Sequence, residues 1–440
     1  MLSIIKKPVA ITVLLFVTTA VCKAALVNPS NSSGERASSD AELARGAYLA
    51  RAGDCVACHT SKGGKSFAGG LSFSTPIGTI YSTNITPDTR TGIGSYTYSD
   101  FESAVRRGVA KDGHTLYPAM PYPSYAKLKN EDVAALYYYF MHGVPAVQQG
   151  NRKSDIPWPL SMRWPLAVWR HFFAPGVNQS EREGDASAGN DSAVVARGRY
   201  LVEGLGHCGA CHTPRGVFMQ EITTTDNGDP AFLSGGKVEN WLANDLRNGS
   251  ATGLGSWTPS DIVSFLKSGR NEHSAAFGGM REVVVNSTQY MSDQDLNAIA
   301  IFLKQLGADK TSAVKARYDT STAKSLQEGQ TNRPGALTFL NNCAACHRSD
   351  GKGYGQVFPQ LALSATVNEP DPTSLIHIVL RGASMPGTSS APTSFTMPGF
   401  HERLTDQEIA DVVTFIRTSW GNKASAVTAR DVGKLRSTTR

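Results

Sequence analysis

The chain has 440 residues, of which 40% are hydrophobic and 18% charged, and its formal net charge at pH 7 is +6. This length suffices for about three domains of ordinary size. The mild charge, without a dense run of lysine and arginine, argues against a nucleic-acid-binding protein. Six of the seven cysteines lie in three short motifs and the seventh is Cys22, so no cysteines remain for a disulfide framework.

The start of the chain has the pattern of a secretory signal peptide. Lys6 and Lys7 precede an apolar run, residues 8–21, that is too short to cross a bilayer. The small residue Ala24 predicts cleavage before position 25. Lipid attachment at Cys22 is the alternative, although the residues before it fit a lipid-attachment signal poorly. No later stretch is long and apolar enough for a membrane span, so we expect an exported protein without an integral anchor.

One pentapeptide pattern, Cys-x-x-Cys-His, occurs three times and ends at His59, His212 and His347. This pattern attaches c-type haem, because two thiols bind the porphyrin and the adjacent histidine becomes the proximal ligand of the iron. A zinc ribbon would need two such pairs close together or a matched pair of histidines, whereas each pair here stands alone. We therefore predict three covalently bound haem c groups. The predicted attachment residues are Cys55, Cys58, Cys208, Cys211, Cys343 and Cys346.

The chain also contains an internal repeat and a recurring helix. Residues 91–100 recur as residues 252–261, which indicates a duplication. Apolar positions at helical spacing predict a closing helix in each unit, at 128–140, 291–303 and 404–416. A helix before the haem motif and a helix at the end of the unit, packed across each other, is the cytochrome c arrangement. The predicted fold is therefore mainly α, with three tandem class I cytochrome c domains.

Changes in composition predict the division of the chain. The predicted parts are a signal peptide 1–24, a disordered linker 25–38, domain one 39–150, a Trp-rich stretch and linker 151–190, domain two 191–309, a linker 310–328, domain three 329–422 and a basic tail 423–440. The Trp-rich stretch has two interpretations: a loop packed over domain one, or an amphipathic contact with a partner subunit or the membrane interface. The basic tail suggests weak attraction to anionic lipid.

Methionine is the expected sixth ligand of each iron, because it raises the reduction potential and keeps water away. Met120 is the clear choice in domain one, within the stretch 117–122. Met280 aligns with it to within one residue of the repeat offset and is the choice in domain two. Met291, which begins the closing helix, and His273 are weaker alternatives there.

Domain three offers two sixth ligands, Met385 and Met397, each followed by proline. The glycine that ends the middle helix lies 12 and 11 residues before the chosen methionine in domains one and two. From Gly382, Met385 is 3 residues away and Met397 is 15, so the spacing favours Met397. The carbonyl of Pro359, 12 residues after His347, is placed to accept a hydrogen bond from the proximal imidazole.

Together these features resemble one family, the three-haem cytochrome c subunits of bacterial membrane-bound dehydrogenases. The resemblance covers about residues 41–422 and rests on the three pentapeptides and on the stretches 84–88, 117–122 and 397–400. Family members serve the flavin enzyme D-gluconate 2-dehydrogenase and the PQQ-dependent quinohaemoprotein alcohol dehydrogenase, with aldehyde and sorbitol relatives. The chain is most similar to the gluconate 2-dehydrogenase branch.

The resemblance implies an electron-transfer subunit. A catalytic partner that holds FAD or PQQ, accompanied by a small third subunit, oxidises its substrate on the periplasmic side. Electrons then pass singly through three haems to ubiquinone, while the protein sets potential, spacing and docking. The implied location is the periplasmic face of the cytoplasmic membrane, with peripheral contact. No catalytic acid, base or nucleophile is expected, so the chain alone is non-catalytic.

Other functions remain open at this point. The same electron-transfer role in a PQQ alcohol dehydrogenase is one. A multihaem enzyme, of the peroxidase or thiosulfate-oxidising type, is another, but it requires an iron with an open or unusual sixth position, and three candidate methionines argue against that. A free periplasmic electron shuttle is the third, and the length and the Trp-rich stretch argue for a fixed partner instead.

Overall fold

The computed structural model describes residues 29–174, 176–177, 192–238, 241–248, 252–307 and 317–438. The predicted signal peptide and much of both predicted interdomain linkers lie outside these residues. Within the described ranges, no helix has the length and hydropathy needed to cross a membrane. We call the parts of the chain around the first, second and third pentapeptides the first, second and third segments.

Within residues 29–174 of the described chain, the first segment contains six helices and one hairpin. They are α1 (Pro29–Ala52), α2 (Cys55–Cys58), β1 (Ser72–Thr75) antiparallel to β2 (Gly78–Tyr81), α3 (Tyr98–Arg107), α4 (Tyr122–Tyr125), α5 (Asn130–His142) and α6 (Trp164–Phe173). The second contains α7 (Ala193–Arg199), a π-helix (Tyr200–Leu205), α8 (Gly209–His212), β3 (Gly236–Val238) paired with β4 (Trp241–Ala243), α9 (Pro259–Ser268), α10 (Gly279–Asn286), a 3₁₀ turn (Thr288–Tyr290) and α11 (Asp293–Gln305). The mainly α prediction is therefore confirmed for these parts.

The third segment is also helical. It contains α12 (Ser321–Gln327), α13 (Ala336–Asn342), α14 (Ala344–His347), α15 (Ala365–Asn368), α16 (Thr373–Arg381), β5 (Ala383–Ser384) paired with β6 (Thr396–Met397), α17 (Asp406–Arg417) and α18 (Ala429–Thr438). Buried side chains form one continuous core through the first two segments and a separate core in the third. The first two segments therefore fold as one packed body.

Each leading helix crosses its closing helix at a glycine, as the predicted arrangement requires. A Cβ added to Gly46 would lie 2.1 Å from the carbonyl oxygen of Ala135, and one added to Gly198 would lie 2.1 Å from that of Ala298. In the third segment a Cβ on Gly335 would lie 2.3 Å from a carbonyl oxygen of α17. Real Cβ atoms do not approach this closely, so glycine permits the helices to touch through their backbones.

Side chains at the end of each copy of the repeat cap the start of the helix there. In α3, Thr97 accepts a hydrogen bond from the backbone of Asp100, whose carboxylate accepts one in return from the backbone of Thr97. Thr258 and Asp261 form the same capping box at α9. The repeated sequence therefore encodes a helix start, worth about 1 kcal/mol at each site.

Three of the predicted parts contain helices, while the division of the chain into domains and linkers stays a prediction. The segment 25–38 was expected to be disordered, but from Pro29 it belongs to α1, because proline is favoured in a first helical turn and no later proline interrupts the helix. The linker 310–328 contains α12, because Ala323 and Leu326 pack into the third core. The predicted basic tail 423–440 contains α18, and Val432 of this helix is fully buried against that core.

Candidate haem-binding sites

The three pentapeptides form short helices immediately after their leading helices. The first cysteine of each, Cys55, Cys208 and Cys343, is partly buried, and burial raises the pKa of each of these thiols to about 12. Cys211, the second cysteine of the second motif, is exposed. No cluster of three or more His, Cys, Asp or Glu side chains in the described ranges could hold a bare metal ion.

The three histidines share one hydrogen-bonding arrangement. Nδ1 of His59 lies 2.7 Å from the carbonyl oxygen of Thr83, and Nδ1 of His212 lies 2.7 Å from that of Asn244. Nδ1 of His347 lies 2.9 Å from the carbonyl oxygen of Pro359, which confirms that prediction. A carbonyl oxygen only accepts, so in each ring Nδ1 carries the proton and Nε2 keeps its lone pair for a metal.

Burial supports the same protonation state. It lowers the pKa of His59, His212 and His347, and therefore favours the neutral imidazole that can ligate iron. Two thiols beside an oriented neutral imidazole fit a c-type haem in each of the three motifs. This fit rests on the hydrogen bonds that the side chains make and not only on their spacing in the sequence.

The carbonyl acceptors of the first two histidines were not predicted. Thr83 immediately precedes Asn84, whose side chain is buried and holds the loop in place. The Asn84 amide donates to the carbonyl oxygen of Val147 at 2.7 Å, and its oxygen accepts from the backbone of Thr86 at 2.9 Å. The stretch 84–88, noted only for its resemblance to a family, therefore supports the acceptor of His59.

Asn244 connects the second histidine to the third segment. Its carbonyl accepts from His212, while its side-chain amide donates to Thr366 Oγ1 at 3.3 Å. Nearby, the indole of Trp241 stacks on the imidazole of His377, with ring centroids 4.2 Å apart. The second site and the third segment are thus joined by direct side-chain contacts.

Residues just before the first two pentapeptides both contact Tyr125. His207, the residue before Cys208, packs its ring against Tyr125 of the first segment, with centroids 5.6 Å apart. The Tyr125 hydroxyl donates to the carbonyl of Gly53 at 2.9 Å, two residues before Cys55. The backbones that present these two motifs are therefore connected through one tyrosine.

The candidate sixth ligands lie in three different local settings. Met120 is half-buried before α4 and packs against the core of the first two segments. Met280 lies in the first turn of α10. Of the alternatives, Met291 is buried in the core, and His273 pairs with Asp261 at 3.4 Å and stacks on Trp257. Both alternatives therefore have structural partners of their own.

Met385 and Met397 belong to the same hairpin in the third segment. The backbone of Met385 donates to Phe395, and Met397 pairs with Ala383. A Cβ on Gly382 would lie 2.3 Å from the carbonyl oxygen of Met397, so the glycine that ends α16 touches the backbone of Met397. Met397 also packs against the core of the third segment, which agrees with the spacing argument.

The Trp-rich stretch packs over the first segment, as one of its two interpretations predicts, and contact with a partner subunit or the membrane stays a prediction. One side of α6 packs over the first segment: Arg163 donates to the carbonyl of Thr115, and Trp169 contacts Tyr122 edge to face. The other side is exposed, with Trp164 and Phe172 exposed by 66% and 71%. The helix is therefore a packed element that also presents an apolar face.

Comparison with known proteins agrees with this reading of the sites. A family model described as cytochrome c matches residues 43–143 and 333–420. The chain is 57% identical to the gluconate 2-dehydrogenase cytochrome c subunit of Pantoea cypripedii, over 90% of each chain. It is 55% identical to the cytochrome c subunit of the quinone alcohol dehydrogenase of Komagataeibacter europaeus, over 90% of this chain and 84% of the relative.

A more distant relative extends the set. The fructose dehydrogenase cytochrome subunit of Gluconobacter japonicus is 36% identical over 97% of this chain and 88% of its own length. The oriented histidines, the paired thiols and these relatives agree on haem c and on electron transfer. The chain belongs to the family of cytochrome c subunits of bacterial dehydrogenases.

Proposed function

We propose that the chain holds three haem c groups and passes electrons singly from a catalytic dehydrogenase subunit to ubiquinone. The proposed attachment residues and iron ligands are Cys55, Cys58, His59 and Met120; Cys208, Cys211, His212 and Met280; and Cys343, Cys346, His347 and Met397. The observation that carries this proposal is the Nδ1–carbonyl hydrogen bond, which recurs in all three motifs. When bound, haem c supplies a one-electron redox couple at its iron.

The protein's own residues set the character of each site. The carbonyl acceptor holds the imidazole in one orientation and increases the basicity of Nε2. His347 is buried and His59 and His212 are half-buried, which limits the access of water to the proximal side, and methionine on the opposite side would raise the reduction potential. The chain would therefore act as a relay whose potentials are set by its packing.

The proposed partner is a catalytic subunit that oxidises gluconate with FAD, accompanied by a small third subunit. The same role beside a PQQ alcohol dehydrogenase is the alternative, since the identities to the two kinds of relative are 57% and 55%. Purification of the native complex, followed by identification of its cofactor and substrate, distinguishes them. FAD with gluconate-dependent ubiquinone reduction is the expected result, and PQQ with alcohol oxidation would favour the alternative.

The proposed location is the periplasmic face of the cytoplasmic membrane, reached by the signal peptide and held by peripheral contact. Fractionation of cells tests it. We expect the holoprotein in the membrane fraction, released by high salt or mild detergent, and protected from protease until the outer membrane is opened. Recovery in the cytoplasm without haem would contradict the location.

The haem count has a direct test. The pyridine haemochrome spectrum of the purified holoprotein should give three haems per chain. Cys208→Ser/Cys211→Ser should remove one haem and leave the other two. A ratio of two in the unmodified protein would show that one motif is not loaded. Rapid binding of carbon monoxide by one haem of the reduced protein would instead favour a multihaem enzyme.

A further inference from the structure

Most of the large exposed apolar side chains of the described residues lie in two short parts of the chain. Seventeen such side chains are exposed in all, and ten of them fall within residues 158–172 and 217–222. We call these ten residues the aromatic face: Trp158, Leu160, Met162, Trp164, Val168, Phe172, Val217, Phe218, Met219 and Ile222. Soluble monomeric proteins rarely expose so many large apolar side chains in so short a part of the chain. This concentration therefore indicates an interaction surface.

The two parts form one continuous surface. The indole Nε1 of Trp169 donates to the carbonyl of Phe218 at 2.8 Å. The ring of Phe173 stacks on the ring of Phe218, with centroids 5.7 Å apart and planes inclined by 30°. Residues 217–222 are therefore held against α6, and their exposed side chains extend its apolar side.

The aromatic face is presented by a firmly held helix. The guanidinium of Arg163 lies 3.9 Å above the ring of Tyr117, and Arg170 donates to the carbonyl of Arg107 at 3.3 Å. Trp164, Val168 and Phe172 are spaced four residues apart and share the opposite side of the helix. Their exposure thus follows from the docking of α6 and not from a loose loop.

Two exposed basic side chains, Arg152 and Lys153, precede the aromatic face, whereas Arg163 and Arg170 lie on the docked side of α6. Residues 151–174 contain four basic side chains, Arg152, Lys153, Arg163 and Arg170, and a single acid, Asp155. That acid is already engaged, because its carboxylate accepts from the Tyr81 hydroxyl at 2.5 Å and pairs with Arg152 at 3.6 Å. Exposed indoles on an apolar helix face, preceded by exposed basic side chains, are typical of helices that lie in the interface of an anionic bilayer.

The basic tail, the other candidate for lipid contact, keeps Lys423, Arg430 and Lys434 exposed but presents no large exposed apolar side chain among the described residues. In α18, Arg436 pairs with Asp406 at 2.7 Å, and Val432 is fully buried. This helix is therefore used to complete the third segment, and its apolar side is turned to protein. The aromatic face has no such cover among the described residues.

We infer that the aromatic face is the membrane-binding surface of this chain, and that it inserts into the headgroup region of an anionic bilayer. This inference rests on the proposed function insofar as that function includes peripheral contact with the membrane. The helix that carries the face packs on residues on both sides of Met120, namely Tyr117 and Tyr122. Lipid contact would therefore be made through the first segment.

Flotation of the full haem-loaded chain with lipid vesicles tests the inference. Vesicles of phosphatidylcholine alone are compared with vesicles that also contain phosphatidylglycerol. We expect binding that is stronger with the anionic lipid and weakened by salt. Trp164→Ser/Phe172→Ser should reduce binding at least about tenfold, because two large apolar side chains no longer enter the interface. No binding of the unmodified chain to either vesicle would overturn the inference.

A matched control separates the aromatic face from general surface hydrophobicity. Ile77→Ser/Leu337→Ser also removes two exposed apolar side chains, 41% and 55% exposed, from outside the face. This variant should bind vesicles as the unmodified chain does. Equal loss of binding in both double variants would contradict a specific membrane surface. Haem content and thermal unfolding of both variants should match those of the unmodified chain.

The same variants distinguish lipid from a protein partner. If Trp164→Ser/Phe172→Ser releases the catalytic subunit from the detergent-solubilised complex and leaves vesicle binding unchanged, the face docks protein and the inference is wrong. Reduction of a water-soluble quinone by that complex reports electron transfer without a membrane. Its persistence when vesicle binding fails would leave the proposed function intact, so the two failures are separable.

Discussion

The Tyr48 hydroxyl of the first segment donates to the Asp295 carboxylate of the second segment at 2.5 Å. The relationship is reciprocal, because Tyr200 of the second segment donates to Asp132 of the first. Each aspartate also pairs with the arginine of its own leading helix: Arg45 with Asp132 at 2.6 Å, and Arg197 with Asp295 at 2.8 Å. The first two segments thus each donate a tyrosine hydroxyl to an aspartate of the other, and each tyrosine lies three residues after that arginine.

The same contacts explain why the capping box at the start of α11 is incomplete. Ser292 and Asp295 resemble a capping box, and Ser292 does accept from the backbone of Asp295 at 3.1 Å. The reciprocal hydrogen bond from the Ser292 backbone to the Asp295 carboxylate is not made. That backbone N–H donates to the Tyr48 hydroxyl at 3.3 Å, and the carboxylate accepts from Tyr48 and Arg197. At Thr405 and Glu408 of α17, where no such partner competes, the complete box forms.

Removal of either exchanged hydroxyl should loosen the contact between the first two segments. Tyr48→Phe and Tyr200→Phe should each lower the free energy of unfolding by about 1–3 kcal/mol, because each leaves a partly buried carboxylate with one hydrogen bond fewer. Denaturant unfolding of the holoprotein measures this loss. Tyr290→Phe, at an exposed tyrosine, is the control and should change stability by less than about 0.5 kcal/mol. Equal stability of all three variants would count against the exchange.

Loss of the Asn84 side chain should disturb the first haem site at a distance from the iron. Asn84→Ala removes the donor to Val147 and the acceptor for Thr86, and so frees the loop that presents the Thr83 carbonyl to His59. We expect destabilisation by about 1–3 kcal/mol and a shift in the reduction potential of one haem only. Spectroelectrochemical titration measures the potentials.

The control for this prediction is Asn286→Ala. The amide of Asn286 donates within its own helix, to the carbonyl of Glu282 at 3.0 Å, and it supports no histidine acceptor. The potentials should therefore stay unchanged in this variant. A shift of all three potentials in Asn84→Ala would indicate general unfolding and would contradict the local explanation.

Substitution of Met385 and Met397 should show which of the two methionines ligates the iron of the third haem. Met397→Leu should convert the third haem to a high-spin or five-coordinate form and lower its potential, because leucine cannot ligate iron. Met385→Leu should keep the low-spin spectrum, since the contacts of Met385 that we identify are backbone hydrogen bonds of the hairpin. Electronic absorption and EPR spectra report the spin state. The opposite pattern would assign the ligand to Met385.

Stability should depend on pH through Asp54, the residue before Cys55. Burial raises the pKa of Asp54 to about 8, with Glu282 as a second cause, and its Oδ1 has no hydrogen-bond partner among the described residues. The folded state therefore binds this proton more tightly than the unfolded chain, whose aspartate pKa is about 4. The stabilising contribution is complete below about pH 4 and is lost as the pH rises towards about 8.

Asp54→Asn should remove that dependence. The backbone of Asp54 has φ 52°, which asparagine tolerates better than most residues, so the substitution introduces little strain. We expect the variant to be more stable than the unmodified chain at pH 8 by at least about 1 kcal/mol, with a smaller difference at pH 5. Urea unfolding at both pH values measures it. An unchanged slope of stability with pH would assign the dependence to other groups.

The sequence by itself determined the haem-attachment motifs, the three closing helices to within two residues of their start, and the Pro359 acceptor. These features are local: two thiols and a histidine must be adjacent to engage one porphyrin, and an amphipathic helix shows its period in consecutive residues. The repeat could be recognised from the sequence for the same reason, because a helix cap and the turn before it occupy ten consecutive positions.

Only the tertiary structure decided the rest. Any residue can supply a backbone carbonyl, so neither Thr83 nor Asn244 carried a chemical mark of its role as histidine acceptor. Tyr48 and Tyr200 lie 247 and 68 positions from the aspartates that they bind, and no local sequence pattern predicts such a pairing. Tertiary contacts also decide which side of α6 is exposed and that α18 is buried. Composition alone does not predict these contacts.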